Sequence, residues 1–322
     1  MGEFELIGHY FASAACAQGG DGVVLGIGDD CALLEVPADE QLAISTDTLV
    51  AGVHFPHDPD PYLLAQRALA VTVSDLAAMG ATPIGFTLAL TLESANADWL
   101  QAFAQGLDQM ARACSISLIG GDTTRGPLSL TLTVFGRTPK NLALTRSGAQ
   151  VGDLLCVGGC LGNAAGALPL VLGQRSDDSG AAKALLQHYW SPQPQLALGQ
   201  ALRGNASAAL DISDGLLADC GHIAAASRVR LQIELAKVPV SAALQAFADA
   251  ETARNCALSG GDDYVLAFTL PAAKLAPLQA QGWPVHVIGS VQAGQGVELV
   301  DESGQRSLQA KGGYQHFAGS GD

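Results

Sequence analysis

Apolar positions along this 322-residue chain recur with two different periods, and together they predict a mixed order of strands and helices. In the first half, short apolar or alternating runs predict strands over residues 23–27, 42–45, 87–92, 116–119 and 129–135. Residues 61–79 are predicted to form a helix. Pro61 is tolerated in its first turn, Gly80 suits its end, and Pro83 follows as a stop. A second helix is predicted over 98–114, where Leu100, Phe103, Leu107, Met110 and Cys114 recur on one side. After Gly136 the chain becomes polar and rich in turn residues, and a new apolar strand begins at 154–157. This places a domain boundary between 137 and 150, with an N-terminal domain over 1–140 and a C-terminal domain over 150–322. A helix near 180–190, a strand over 208–210 and continued alternation to about residue 291 predict an α/β layer in the second half. The expected class is α/β, an α+β N-terminal domain followed by an α/β C-terminal domain.

Composition narrows the function. Hydrophobic residues make up 48% and charged residues 15%, so the chain should fold compactly. A formal charge of −15 and the lack of any basic run make nucleic acid and anionic membranes poor partners. No apolar stretch is long enough to span a bilayer, and Met1-Gly2-Glu3-Phe4-Glu5 has neither the basic nor the apolar region of a secretory signal, so the expected location is cytoplasmic. The seven cysteines are scattered without a CxxC pair and read as reduced core residues.

Aspartate outnumbers glutamate 22 to 9, and its positions are informative. Five segments run from apolar residues through small ones to an Asp: Leu25-Gly26-Ile27-Gly28-Asp29-Asp30, Ile44-Ser45-Thr46-Asp47, Leu118-Ile119-Gly120-Gly121-Asp122, Leu210-Asp211-Ile212-Ser213-Asp214-Gly215 and Leu258-Ser259-Gly260-Gly261-Asp262-Asp263. Each is expected to put a carboxylate at a strand end. One such Asp alone reads as a turn or helix cap, but five together point to a site. Asp75 adds to them. It shares a helix face with Leu64, Ala68, Val71 and Ala78, and an ionised carboxylate buried there needs a partner. Arg67 lies eight residues away, about 12 Å along a helix axis, so a metal is the better partner. Oxygen donors with no paired histidines suit Mg²⁺ rather than zinc. There is no GxxxxGK[ST] loop, no HRD or DFG set and no EF-hand spacing. Gly158-Gly159-Cys160-Leu161-Gly162-Asn163 reads equally as an anion nest or as a tight turn before a helix.

The set of motifs, with Val73-Ser74-Asp75-Leu76-Ala77-Ala78-Met79-Gly80-Ala81 and Ser259-Gly260-Gly261-Asp262-Asp263-Tyr264 among them, resembles the bacterial thiamine-monophosphate kinase family over almost the whole chain. That family belongs to the aminoimidazole-ribonucleotide synthetase-like superfamily, whose members use ATP without a P-loop. The resemblance implies the two-domain fold of that superfamily, with the N-terminal domain binding ATP and Mg²⁺ and forming a homodimer, and the C-terminal domain completing the active site. It implies phosphorylation of thiamine monophosphate by ATP to thiamine diphosphate, the last step in making that cofactor. It further implies several Mg²⁺ ions held by Asp30, Ser45, Thr46, Asp47, Asp75, Asp122, Asp211 and Asp214. ATP contacts would come from Gly121, Asp122, Arg146 and Ser213, and substrate contacts from His54, Asp262 and Tyr314, with Phe317 as an alternative aromatic. Two positions depart from the family pattern: Asp262 stands where Glu is usual, and the helix at 98–114 offers only Phe103 and Gln105 near the usual base-contacting Tyr. An acidic Ca²⁺-binding protein and a superfamily synthetase with another acceptor are the competing readings. The sequence shows no convincing nucleophile with an adjacent base, so direct in-line transfer is expected.

Overall fold

The computed structural model describes residues 3–308. They cluster into two compact units, one built on residues up to Ala143 with Trp190–Gln200, the other on Leu144–Tyr189 with residues from Ala201 onward.

The first unit opens with α1 (Glu3–Leu6), a π-helical turn (Ile7–Ala12) and a ribbon of β1 (Val23–Leu25) and β2 (Leu33–Leu34). There follow β3 (Glu40–Val50), α2 (Pro61–Ala78), β4 (Thr82–Leu92), α3 (Ala97–Ala113), β5 (Ser117–Arg125) and β6 (Ser129–Pro139). Four of these strands form a sheet in the order β3-β6-β4-β5, antiparallel except for the parallel pair β4 and β5. Helix α2 begins where expected because the Asp60 carboxylate accepts the Leu63 N–H at 3.1 Å and Pro61 takes the first helical position. It is buried on nearly every side, and its Leu64, Leu69 and Leu76 are fully buried, as are Phe86 of β4 and Leu130 and Leu132 of β6.

Three strands are longer than their apolar runs. β3 pairs with β6 through all of Glu40–Val50, so Ser45, Thr46 and Asp47 sit in mid-strand rather than beyond its end. β5 continues through Gly120, Gly121 and Asp122 to Arg125 because β4 lies beside it throughout. β4 itself starts at Thr82, and Pro83 lies at an irregularity in its pairing with β6, a position that tolerates a missing N–H. Gly121 is required by this packing, since a Cβ there would fall 2.0 Å from the Leu88 carbonyl on β4.

Beyond Ala143 the chain forms, in order, β7 (Leu154–Val157), α4 (Asn163–Val171), α5 (Gly180–Trp190), α6 (Leu196–Leu202), β8 (Ala208–Asp211), α7 (Leu216–Ser227), β9 (Arg230–Glu234), α8 (Ala242–Phe247), α9 (Ala250–Ser259), β10 (Leu266–Leu270), α10 (Leu275–Ala280), β11 (His286–Gln292), β12 (Gly296–Val300) and β13 (Arg306–Leu308); all of these belong to the second unit except the end of α5 at Trp190 and most of α6, which cluster with the first. The seven strands form one sheet ordered β13-β12-β9-β11-β7-β10-β8. Every neighbouring pair is antiparallel except β12 and β9. Leu210, Ile212, Leu216 and Ile223 join Leu155, Leu231 and Ile288 in its core, which fixes the turn between β8 and α7 on a rigid base.

Candidate functional site

The first unit brings three of the expected residues onto one side of its sheet. Along β3 the side chains alternate: Ala43, Ser45, Asp47 and Leu49 are more buried, while Leu42, Ile44, Thr46, Thr48 and Val50 are exposed. Ser45 Oγ donates to Asp75 Oδ2 on α2 at 2.5 Å. Burial pushes the Asp47 carboxyl up to about 6, the negative charge of Asp75 adds to the rise, and a hydrogen bond from the Thr72 hydroxyl opposes it. Two carboxylates that face each other in a half-buried setting, with a hydroxyl between the strand and the helix, form an all-oxygen donor set for a hard divalent cation. Thr46 points the other way, its hydroxyl 2.9 Å from Thr133 Oγ1 on β6, so that hydroxyl is not part of the Asp47–Asp75 group.

Asp30 and Asp122 lie elsewhere in the same unit. Both line a cavity of about 160 Å³ whose walls include Gly121 and, on the apolar side, Phe11, Ile27 and Leu118. Phe103 is fully buried and stacks on Trp99 with ring centroids 5.0 Å apart, so it belongs to the core and offers no surface to a nucleotide base. His54 accepts the Val50 N–H on Nδ1 at 2.9 Å, which leaves its proton on Nε2.

In the second unit, Asp211 ends β8 and is buried, whereas Ser213 is exposed and Asp214 half-buried in the turn that follows. That turn is tied to the segment 260–264. The Asp262 N–H donates to the Ser213 carbonyl at 2.8 Å, and the Tyr264 N–H to the Ile212 carbonyl at 2.8 Å. Gly261, Asp262 and Tyr264 all have positive φ (66°, 64° and 52°), and a Cβ on Gly261 would lie 2.4 Å from the Ser213 carbonyl. Left-handed backbone at two residues other than glycine is held only where the surroundings enforce it, and such places are commonly functional. Arg146 is exposed on a loop moored to Ser227, whose hydroxyl accepts the Gly148 and Ala149 N–H groups and donates to the Arg146 carbonyl. Tyr314 and Phe317 lie outside the described residues.

Two further acids, the buried Asp219 and the half-buried Asp263, hold the loops that carry the expected site residues. Asp219, within the apolar run Leu216-Leu217-Ala218-Asp219-Cys220, accepts the Ser213, Asp214 and Gly215 N–H groups on one oxygen. It is pushed up to about 7, chiefly by burial and also by the charges of Asp214 and Asp211. An acid among apolar helix residues had singled out Asp75, and the same signal was present here. Ligand atoms of Asp214, Asp219 and His222 lie within 4.8 Å of one another. Asp263 is the second. It accepts the Gly162 N–H at 2.8 Å and bonds the N–H groups of Asn163 and Ala164 at the start of α4. The Gly-rich turn is thus an anion nest, and the anion it holds is the chain's own Asp263.

Burial also pushes Asp263 up to about 7, with the Asp262 charge adding to it and the three N–H groups opposing it. Its other titratable neighbours are Cys160 and Cys256, whose thiols are raised by burial and by Asp263 itself and stay protonated. Because the folded value exceeds that of an unfolded Asp, near 4, the folded chain holds the extra proton between these values, and stability falls as pH rises from about 4 to about 7. Asp263→Asn is expected to remove this share of the slope and leave that of Asp219. Urea midpoints measured from pH 4.5 to 8 check this, and an unchanged slope in the variant would contradict it.

A two-unit chain with clustered oxygen donors and no P-loop defines a class before any particular member. Residues 28–138 match the AIR synthase related protein, N-terminal domain, and residues 150–302 match the AIR synthase related protein, C-terminal domain. Hydrogenase maturation protein HypE from E. coli shares this fold, with a TM-score of 0.78 at 22% identity over 98% of this chain and 99% of that one. Within the class, the chain belongs to the thiamine-monophosphate kinase family. It is 46% identical to thiamine-monophosphate kinase of Escherichia coli K12 over 98% of both chains. It is 45% identical to the crystal structure of thiamine-monophosphate kinase from Stenotrophomonas maltophilia, with a TM-score of 0.82 over 87% of this chain and 91% of that one. The structure of AaThiL complexed with AMPPCP and TMP matches at 30% identity and a TM-score of 0.80, over 90% of this chain and 92% of that one.

Proposed function

We propose that this chain phosphorylates thiamine monophosphate with ATP, giving thiamine diphosphate and ADP, with Mg²⁺ and by direct in-line transfer. The observation that carries the reading is the pair Asp47 and Asp75 facing one another beside Ser45, a donor set suited to a cation that accompanies phosphates. Family membership at 46% identity supports the acceptor, and the AaThiL complex with AMPPCP and TMP supports the donor. Asp30, Ser45, Thr46, Asp47, Asp75, Asp122, Asp211 and Asp214 hold Mg²⁺ in this reading, of which Thr46 has the weakest support because its hydroxyl faces Thr133. When bound, the metal neutralises phosphate charge. Gly121, Asp122, Arg146 and Ser213 contact ATP, Arg146 as a charged clamp. His54, Asp262 and Tyr314 contact the acceptor.

In the transfer, a phosphate oxygen of thiamine monophosphate forms a bond to the γ-phosphorus while the bond from that phosphorus to the β–γ bridging oxygen breaks, and ADP leaves. The chain's work is alignment and charge placement. Incubating the protein with ATP, Mg²⁺ and thiamine monophosphate and separating the products tests the reading. Thiamine diphosphate, inversion at the transferred phosphorus and no exchange of labelled ADP into ATP without acceptor are expected. A labelled Asp or retention of configuration would show a covalent step instead.

Asp262 is one methylene shorter than the family's usual Glu, and we assign it to the acceptor. Asp262→Ala is expected to raise KM for thiamine monophosphate by roughly 10-fold or more and KM for ATP by less than about 3-fold. Equal changes would move Asp262 out of the acceptor pocket.

A homodimer is supported by β3, an eleven-residue strand at the end of its sheet whose outer face exposes Leu42, Ile44 and Val50. A long apolar edge is normally covered, and a second copy of this chain is the occupant we assign. Light scattering should return twice the mass of one chain. A cytoplasmic location is in keeping with seven cysteines, all free, and with the lack, among described residues, of a helix long and apolar enough to cross a membrane.

A further inference from the structure

We propose that Asp219 is a positioning residue for phosphoryl transfer. Its carboxylate sets the backbone of residues 213–215 and so aims Ser213 and Asp214 at the nucleotide and its metal. The inference rests on the reading that assigns Ser213 and Asp214 those roles.

Asp219 lies one turn inside α7 and is only 4% exposed, yet it touches neither substrate nor the reacting atoms in that reading. A single oxygen, Oδ2, accepts the N–H groups of Ser213 at 3.0 Å, Asp214 at 3.0 Å and Gly215 at 3.1 Å. Gly215 caps α7 without a side chain, and Asp219 accepts its N–H together with those of the two residues before it. Three N–H donors from consecutive residues converging on one acceptor atom leave the turn little freedom.

The constraint extends further through the main chain. With the Ser213 carbonyl accepting the Asp262 N–H, and Gly261 packed against that same carbonyl, the turn that Asp219 holds is also the surface on which the segment 260–264 rests. A loss of Asp219 therefore frees the turn that carries Ser213 and Asp214 first, and the segment with Asp262 second. Catalysis by alignment is sensitive to such freedom, because displacements near 1 Å at the reacting groups cost about 10²-fold.

Asp219→Ala, Asp219→Asn, Ser213→Ala and Asp214→Asn would be compared in the full-length protein. Amide exchange by NMR is expected to accelerate at residues 213, 214 and 215 in Asp219→Ala. In Ser213→Ala, where Asp219 is intact, those amides stay protected. Kinetically, Asp219→Ala should lower kcat/KM for ATP by about 10²-fold with a smaller change in KM for thiamine monophosphate. Asp219→Asn keeps an acceptor oxygen in place and should recover about 10-fold or more of that loss. Equal losses in the Asn and Ala variants would make the charge itself the requirement, as for a metal ligand, and would overturn the proposal. So would a lower Tm with unchanged kinetics in the folded variant. If Asp219→Ala fails to fold, Asp219→Asn decides alone: near-normal kinetics with protected amides support positioning, and a loss as deep as that of Asp214→Asn overturns it. Should Ser213→Ala and Asp214→Asn both leave ATP and Mg²⁺ kinetics untouched, the site reading fails and the proposal falls with it. If those two matter and Asp219→Ala does not, only the proposal falls.

Discussion

Excess chelator is expected to abolish phosphoryl transfer completely, and Mg²⁺ is expected to restore it. The reason is electrostatic. ATP and thiamine monophosphate both bring negative charge to a chain that already carries a formal charge of −15, and the proposed contact residues include more carboxylates than cations. Burial chiefly, and then the charge of Asp75, disfavour an ionised Asp47 even without a substrate. Only a multivalent cation makes bound phosphates and both ionised carboxylates compatible. Ca²⁺ is expected to bind but to support little turnover. Its ligands lie at about 2.3–2.6 Å in flexible geometry, against about 2.0–2.1 Å in the octahedral shell of Mg²⁺, so phosphates held through it would sit out of line. Turnover measured against free metal concentration, with each ion added back after chelation, checks both parts. Full activity in chelator would remove metal from the reaction.

The ends of α2 and α3 were more legible than the ends of the strands, for reasons visible in particular residues. α2 and α3 carry their own boundaries, Asp60 before Pro61 and Asn96 accepting the Trp99 N–H at 3.1 Å, because helix ends are satisfied locally. The strand extensions are not local. Thr46 and Thr48 of β3 are in strand because Thr133 and Thr131 of β6 stand opposite, and Gly120 and Gly121 of β5 because β4 runs alongside. Strand preference is largely such packing, which a single segment does not reveal. The same limit applies to the site. Asp47 and Asp122 were found by their sequence context, although both turn out to lie within strands rather than after them. Asp263 was passed over because its role depends on α4, which starts about a hundred residues earlier in the chain. The mainly antiparallel order of the second sheet had no signature in the alternation of helices and strands, since either direction can produce it.

Asp75→Asn is expected to cut turnover by about 10²-fold or more while the chain stays folded. Asp75 occupies an unfavourable place for a carboxylate on two counts. It lies in the last turn of α2, where the helix dipole is negative, and it faces Asp47. Neither cost serves packing, since the neighbours of Asp75 along α2 include the buried Val71, Leu76 and Ala78 and the uncharged Thr72 and Ser74, none of which needs a charge there. The charge is therefore explained by what it holds. Asn is close to isosteric and keeps an oxygen for the Ser45 hydroxyl, so the local hydrogen bond survives. Removing the like charge should let the Asp47 carboxyl return toward its ordinary range and leave Tm unchanged or higher. Turnover should fall, and the Mg²⁺ concentration for half-maximal activity should rise, because one ligand charge is gone. Stability and activity thus move apart, which a substitution that merely damaged the core would not produce. Titrating Mg²⁺ against turnover and measuring Tm for both proteins decides the matter. A variant with near-normal turnover at limiting Mg²⁺, or one that lost activity and Tm together, would return Asp75 to a structural role.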